Sequence, residues 1–245
     1  MYVWTIALLS LLVIVSSATL GKFPYALVFG VLVAGATEAA IDSFYLKHKL
    51  EIPISGLITG LIIGSIAPIN APLSLVFAAS VIGVASKFFL QFKHVNIFNP
   101  ASLGLVFALA LFNSTDMWWS ASNYNVYGMA LSLTPLLILL AYQAKRLALG
   151  LSFVVCSFLA GLALQGAMSL SAAITILLGI NYYFAFVMLI EPKTSPNGTQ
   201  AQVAYGALVA ALYIAIAYSR VEYPLLVALL IGNVSYLIYR KYRCR

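Results

Sequence analysis

Three ionisable side chains in otherwise apolar surroundings are the first candidates for chemistry in this chain. Glu38 and Asp42 are four residues apart, on one face of a predicted helix and towards its inner end. Lys87, near the inner end of another predicted helix, is their expected partner. Ionisable groups inside an apolar helix are costly to bury, so pairing is expected. Both a structural ion pair and a path for a proton or cation satisfy that requirement.

Three polar segments accompany them. The first is Ser55-Gly56-Leu57-Ile58-Thr59-Gly60, followed by Ser65, Pro68 and Asn70. Gly56, Gly60 and Gly64 at four-residue spacing make a helix-packing face, and that alone accounts for the small residues. The functional reading is a short helix that ends inside the protein and points its terminal N–H or C=O groups at a bound species. The second segment is Lys93-His94-Val95-Asn96-Ile97-Phe98-Asn99-Pro100-Ala101. Asn99 is an expected N-cap with Pro100 as the first helical residue. Capping leaves Asn96 and Phe98 unexplained, and these suit the amide edge and the face of a flat heterocycle. The third, Glu191-Pro192-Lys193-Thr194-Ser195-Pro196 with Asn197, Gly198 and Gln200, is a turn-rich loop by composition.

The elements that position these groups follow from hydropathy. The 245 residues are 63% hydrophobic and 8% charged, with a mean hydropathy of +1.03, which is too little polar surface for a water-soluble domain of this size. Lipid is the expected solvent. Apolar runs bounded by charge, Pro, Gly or Asn predict helices near 2–20, 24–46, 54–68, 71–91, 99–113, 127–143, 147–165, 170–190, 201–218 and 223–240. Pro24, Pro72, Pro100 and Pro224 mark helix starts, where a missing N–H costs nothing. The fold class expected is an all-α integral membrane protein of about ten spans. The first run reads as a helix rather than a signal peptide, because it lacks a basic leading region.

Basic residues orient the spans. Lys47, Lys49, Lys93, Lys145, Arg146, Lys193, Arg240, Lys241, Arg243 and Arg245 fall on one side of this map, with Lys87 nearby, and only Lys22 and Arg220 on the other. The positive-inside rule then puts both termini in the cytoplasm and the chain in the plasma membrane. The net charge of +7 is a topology signal rather than the footprint of a nucleic-acid-binding face. Asp116, Trp118, Trp119 and Tyr124 in the external loop suit an aromatic belt at the membrane interface.

Helices three and five are short enough to be half-helices. A division at Val126, into 1–126 and 127–245, leaves five spans in each half. An odd number per half forces opposite orientations if the halves share a fold. On that pairing 67–70 matches 191–196, and Asn99-Pro100 matches Tyr223-Pro224. Cys156 and Cys244 have no CxxC or Cys/His company, so no disulfide, zinc or iron–sulfur site is expected. His48 and His94 lie in loops, not at haem-ligand positions on facing helices.

The order of these segments resembles the RnfD/NqrB family, membrane subunits of Rnf-type and sodium-pumping NADH:quinone oxidoreductase complexes. The resemblance runs from Thr37-Glu38-Ala39 through Ser55 to Leu61, Pro68, Lys87 and Phe98-Asn99-Pro100-Ala101. It resumes in 184–188, Glu191 to Pro196 and Tyr205-Gly206, and ends with Tyr223-Pro224 and the last helix. The Phe-Asn-Pro-Ala and acidic-Pro-x-Thr-Ser-Pro elements are its specific part. It implies two inverted five-helix repeats and a flavin, FMN or riboflavin, relaying electrons beside other membrane subunits. Ser55, Thr59, Asn96, Phe98, Asn99, Thr194 and Ser195 are its expected contacts, between the repeats, while Glu38, Asp42 and Lys87 tune charge or move an ion.

The family commonly carries FMN on a threonine of a Ser-Gly-Ala-Thr motif in the outer loop between halves. This chain departs there, reading Ser114-Thr115-Asp116-Met117-Trp118-Trp119-Ser120-Ala121-Ser122. Its Gly35-Ala36-Thr37 lies within a helix, where a phosphate would be buried without compensation. The expectation is therefore a non-covalent flavin and no covalent FMN. With no NADH or iron–sulfur domain in these residues, the chain is expected to be a subunit rather than a complete oxidoreductase. The rival reading is a transporter or channel on the same inverted-repeat plan, and a third is a scaffold for partner helices.

Overall fold

Apolar runs become helices almost throughout, because a helix satisfies every backbone N–H and C=O within its own segment where water is absent. The computed structural model describes residues 2–46, 51–93, 95–121, 127–166 and 169–243. Among them are ten α-helices: α1 Tyr2–Leu20, α2 Tyr25–Ala40, α3 Ile54–Ile66, α4 Leu73–Phe89, α5 Pro100–Leu111, α6 Tyr127–Gln143, α7 Leu147–Gln165, α8 Leu170–Gly179, α9 Thr199–Tyr218 and α10 Pro224–Arg243. The described residues are all-α apart from a hairpin of two two-residue strands, β1 Gln91–Phe92 with β2 Val95–Asn96. Among the described residues four helices are long and apolar enough to cross a membrane: Val3–Leu20, Tyr25–Tyr45, Leu147–Gln165 and Thr199–Tyr218. Large apolar side chains such as Leu32, Phe77, Phe107 and Leu159 stand more than half exposed on their helices, as lipid-facing residues do.

Contacts divide the chain into two compact units, Met1–Ser122 with α1–α5 and Asn123–Arg245 with α6–α10. In the first unit α3 lies against α2 along the glycine stripe. A Cβ on Gly60 would stand 2.6 Å from the Cα of Val31, and one on Gly64 2.6 Å from the Cα of Leu27. Backbones touch there because no side chain intervenes. Helix α4 joins α2 where Ser80 Oγ donates to the Gly30 carbonyl at 3.3 Å. In the second unit Gly206 brings α9 onto α7, and Ser152 Oγ donates to the Val203 carbonyl at 2.8 Å.

Three expectations need correction. The predicted helix at 24–46 does not stay regular: after Ala40 it widens into a π-turn, Ile41–Tyr45, which rotates Asp42 relative to Glu38. The predicted helix at 170–190 is two pieces. Helix α8 stops at Gly179, Ile180 is extended, and Asn181 Oδ1 accepts from the Phe184 N–H at 2.8 Å to start a second, buried segment containing a π-turn, Phe184–Met188. The loop after α5 is not an aromatic belt where it is described, since Trp118 and Trp119 are buried; Tyr124 lies outside the described residues. His48 and His94, together with Lys47, Lys49 and Arg245 of the topology argument, also lie outside them.

Candidate functional site

Among the described residues, each unit holds a buried polar cluster around a basic side chain. In the first, the end of α2, the start of α3 and the end of α4 converge. Lys87 Nζ donates to Glu38 Oε2 at 3.0 Å and to Ser55 Oγ at 2.8 Å. Lys87 and Glu38 are both more than nine-tenths buried. Gly56 makes room for the pair: a Cβ there would stand 3.0 Å from Glu38 Oε2. Thr59 Oγ1, one turn on, donates to the Ser55 carbonyl at 2.9 Å, which braces the start of α3. Asp42 stands half-buried in the π-turn and is no part of the ion pair.

Beyond α4 the hairpin pairs Gln91 with Asn96, and the chain turns into α5 at Asn99, whose Oδ1 accepts from the Ser102 N–H at 2.9 Å. Asn96 and Asn99 are buried and Phe98 half-buried. The Asn-Pro element is thus a working N-cap, as its sequence indicates.

The far end of α3 is closed by the loop after α5. The Ile66 carbonyl accepts from the N–H groups of Met117 at 2.7 Å and Trp118 at 3.1 Å, and Trp119 Nε1 donates to the Gly64 carbonyl at 2.8 Å. The carbonyls that a half-helix would offer to a cation are therefore taken at Gly64 and Ile66 by this loop. Trp118 Nε1 donates in turn to Asp116 Oδ2 at 2.6 Å. Burial pushes the Asp116 carboxyl above the usual aspartate range, against the lowering effect of that hydrogen bond.

The second cluster is built on the loop from Glu191 to Pro196. Thr194 Oγ1 donates to Glu191 Oε2 at 3.2 Å, and Ser195 Oγ donates to the Glu191 carbonyl at 2.7 Å. Thr194 and Ser195 are both buried. Arg146, also buried, donates through Nε to Ser195 Oγ at 3.2 Å, through Nη1 to the Lys145 carbonyl at 3.2 Å, and through Nη2 to Asn197 Oδ1. Burial lowers its pKa from the ordinary arginine value. Gln202 of α9 donates to the Lys145 carbonyl at 2.9 Å, while Asn233 of α10 donates to the Thr194 carbonyl at 3.3 Å and to the Tyr205 hydroxyl at 2.9 Å.

No family model matches the chain, and no curated protein matches it. Of the candidates from sequence, Glu38, Ser55, Thr59 and Lys87 come together in the first cluster, Thr194 and Ser195 anchor the second, and Asn96, Phe98 and Asn99 lie along the turn into α5. Arg146, Gln202, Tyr205 and Asn233 were not among them. Arg146 reads as one topology charge among many, but Asn233 is a single amide in an apolar run, which is a legible signal of an interior hydrogen bond. Among the described residues no group of three or more His, Cys, Asp or Glu could hold a metal ion.

Proposed function

We propose that this protein is an RnfD/NqrB-like membrane subunit of an ion-translocating electron transport complex, holding a flavin non-covalently and relaying electrons within the membrane. The observation that supports it most is the state of its two motif-bearing segments. Asn96, Asn99, Thr194 and Ser195 are polar side chains buried in an apolar body, at the turns that open α5 and α9, in the order the family resemblance requires. Burial at such cost needs hydrogen-bond partners, and a carboxamide with a neighbouring ring suits the amide edge and face of a flavin. The bound flavin would supply one- and two-electron chemistry; the chain's side chains would bind and orient it. Glu38 and Lys87 set the local charge or serve an ion, and the other partners are the lipid bilayer and further membrane subunits, with no nucleic acid.

The reading includes ten spans in two inverted five-helix repeats with cytoplasmic termini. Parallels within each unit support it. The second and fourth helices are joined by a serine hydroxyl on a backbone carbonyl, Ser80 to Gly30 and Ser152 to Val203. The third helix is short in both, α3 at 13 and α8 at 10 residues, and the fifth begins at a proline.

A second reading, a transporter or channel for a small solute or ion, is favoured by the interruption at Ile180–Asn181, since broken helices are how transporters bring backbone groups to a midplane site. One experiment separates the two. The detergent-purified protein is scanned for absorption before and after acid precipitation, with mass spectrometry on both fractions. Acid-released flavin is the expected result, and Asn99→Ser, which keeps a capping oxygen but removes the amide, should reduce its occupancy. A colourless, folded protein would overturn the flavin reading in favour of the transporter. Flavin retained on the precipitate would show covalent attachment.

A further inference from the structure

Where the loop after the π-turn Phe184–Met188 runs into α9, the chain reads Asn197-Gly198. An asparagine followed by glycine carries its own reactants. The main-chain nitrogen of the second residue can attack the side-chain amide carbon of the first, an intramolecular step that glycine, with no Cβ, leaves unobstructed. Both residues are exposed, so water and hydroxide reach them.

Two observations set this pair apart from an ordinary asparagine in a loop. The first concerns the nucleophile. The Gly198 carbonyl accepts from the Gln202 N–H at 3.0 Å to open α9, but among the described residues no hydrogen bond engages the Gly198 N–H. The second concerns the amide. Arg146 Nη2 donates to Asn197 Oδ1, and the guanidinium is buried, with Nε held on Ser195 Oγ and Nη1 on the Lys145 carbonyl, each at 3.2 Å. A fixed positive charge therefore stands on the oxygen that becomes negative when Cγ is attacked. Preset donors of this kind stabilise the oxyanion of acyl transfer. Glu191, the acidic side chain of the same loop, takes the Thr194 hydroxyl, and no carboxylate pairs with Arg146 among the described residues.

We propose that Asn197 is a self-modifying site, converted in the folded protein to aspartate through a succinimide closed onto Gly198, with Arg146 directing both steps. In the first step hydroxide takes the Gly198 N–H proton and the nitrogen bonds to Asn197 Cγ. The negative charge passes to Oδ1 under Arg146. The Cγ–Nδ2 bond then breaks, and the amide nitrogen takes a proton from water and leaves as ammonia, which restores the hydroxide. In the second step a water molecule adds to the Cγ carbonyl. The bond from Cγ to the Gly198 nitrogen breaks, that nitrogen recovers its proton, and a side-chain carboxylate remains. Water attacking the main-chain carbonyl of Asn197 instead would give isoaspartate and lengthen the backbone, but among the described residues Arg146 makes no hydrogen bond to that oxygen. The polarised carbonyl is the one at Cγ, so ordinary aspartate is the favoured product.

The product supplies what the buried guanidinium lacks, a counter-charge. It also stands one residue before the N-cap of α9, where the helix dipole favours an anion. The inference goes beyond the electron-relay reading and stands whether or not the protein binds flavin.

The test uses the full chain, freshly purified in detergent and held in mildly alkaline buffer. Mass spectrometry of the peptide containing Asn197 follows amide against acid over time, and an isoaspartate-specific methyltransferase counts the isomer. The expected result is conversion at Asn197 with aspartate as the main product. Arg146→Gln should slow it by about tenfold, the effect of one charge-assisted hydrogen bond, and shift the product towards isoaspartate. Wild type unfolded in urea and dodecyl sulfate has the same dipeptide without the guanidinium contact. It should also favour isoaspartate, which keeps the product comparison available if Arg146→Gln does not fold. An amide that persists in the folded wild type overturns the proposal. So does isoaspartate as the main product of the folded chain, or a folded Arg146→Gln variant that matches wild type in rate and product.

Discussion

The two buried clusters deal with a buried cation in different ways. In the first unit Lys87 meets Glu38 at 3.0 Å and Ser55 at 2.8 Å, so the charge is cancelled within three helices. In the second, Arg146 is surrounded by a hydroxyl, a carbonyl and an amide oxygen, and its charge is spread but not cancelled. A cancelled charge makes a self-contained structural joint. An uncancelled one depends on the hydrogen bonds of its neutral neighbours. The chemistry of the side chains follows suit, since a compact ammonium serves one carboxylate while a planar five-donor guanidinium can serve several oxygens at once.

The comparison breaks most easily at Glu38. Glu38→Gln leaves Lys87 buried without its counter-charge and should cost about 3–5 kcal/mol in a reversible denaturant titration in micelles. Glu38→Leu combined with Lys87→Met should recover most of that loss. If the double variant is as damaged as the single, the pair is more than a joint, and an ion path through it becomes the better reading.

Arg146→Gln should cost less, about 1.5–3 kcal/mol by the same titration, because the groups it deserts are neutral. Arg146→Lys keeps the charge but not the fork, so it should fall between wild type and Arg146→Gln. A loss at Arg146→Gln equal to that at Glu38→Gln would erase the distinction between the clusters.

Trp119→Phe sharpens the picture of the first unit from the other end of α3. It removes one donor to the Gly64 carbonyl and should lower the midpoint of thermal unfolding by the equivalent of about 1 kcal/mol. The smallest effect concerns pH. The folded protein holds the Asp116 proton more tightly than the unfolded chain does, because burial raises that pKa. Asp116 therefore contributes stability at low pH that is lost as pH rises from the unfolded aspartate value through the raised folded one. Trp118 fluorescence during unfolding, followed across that interval, should show the trend in wild type and its absence in Asp116→Asn.

Much of the first cluster was legible beforehand. Two ionisable residues in apolar runs must find each other, and the Gly56, Gly60, Gly64 spacing announces a close backbone contact, which α2 and α3 make. The shortness of α3 and α5, and the cap at Asn99, were legible for similarly local reasons. Partner choice was less so. Glu38 and Asp42 share a face only in a regular helix, and the π-turn after Ala40 removes that condition. The second cluster was legible only at its loop. Arg146 carries the same letter as any positive-inside arginine, and nothing in its neighbours says that its side chain turns inward. The break at Ile180 is similar: hydropathy from 170 to 190 is uninterrupted, and only Gly179 followed by Asn181 hints at a stop and a new cap.

The amino-acid sequence by itself determined the solvent, the helical class and the places where polarity had to be buried, because hydropathy and turn chemistry act over a few residues and need no partner. Tertiary structure alone decided that Trp118 and Trp119 fold inward onto the end of α3, that Lys87 takes Glu38 and Ser55, and that Arg146 collects oxygens from Ser195, Lys145 and Asn197. Those outcomes depend on which side chains meet across helices, and a long polar side chain can satisfy the same hydrogen-bonding demand in several directions until packing leaves one.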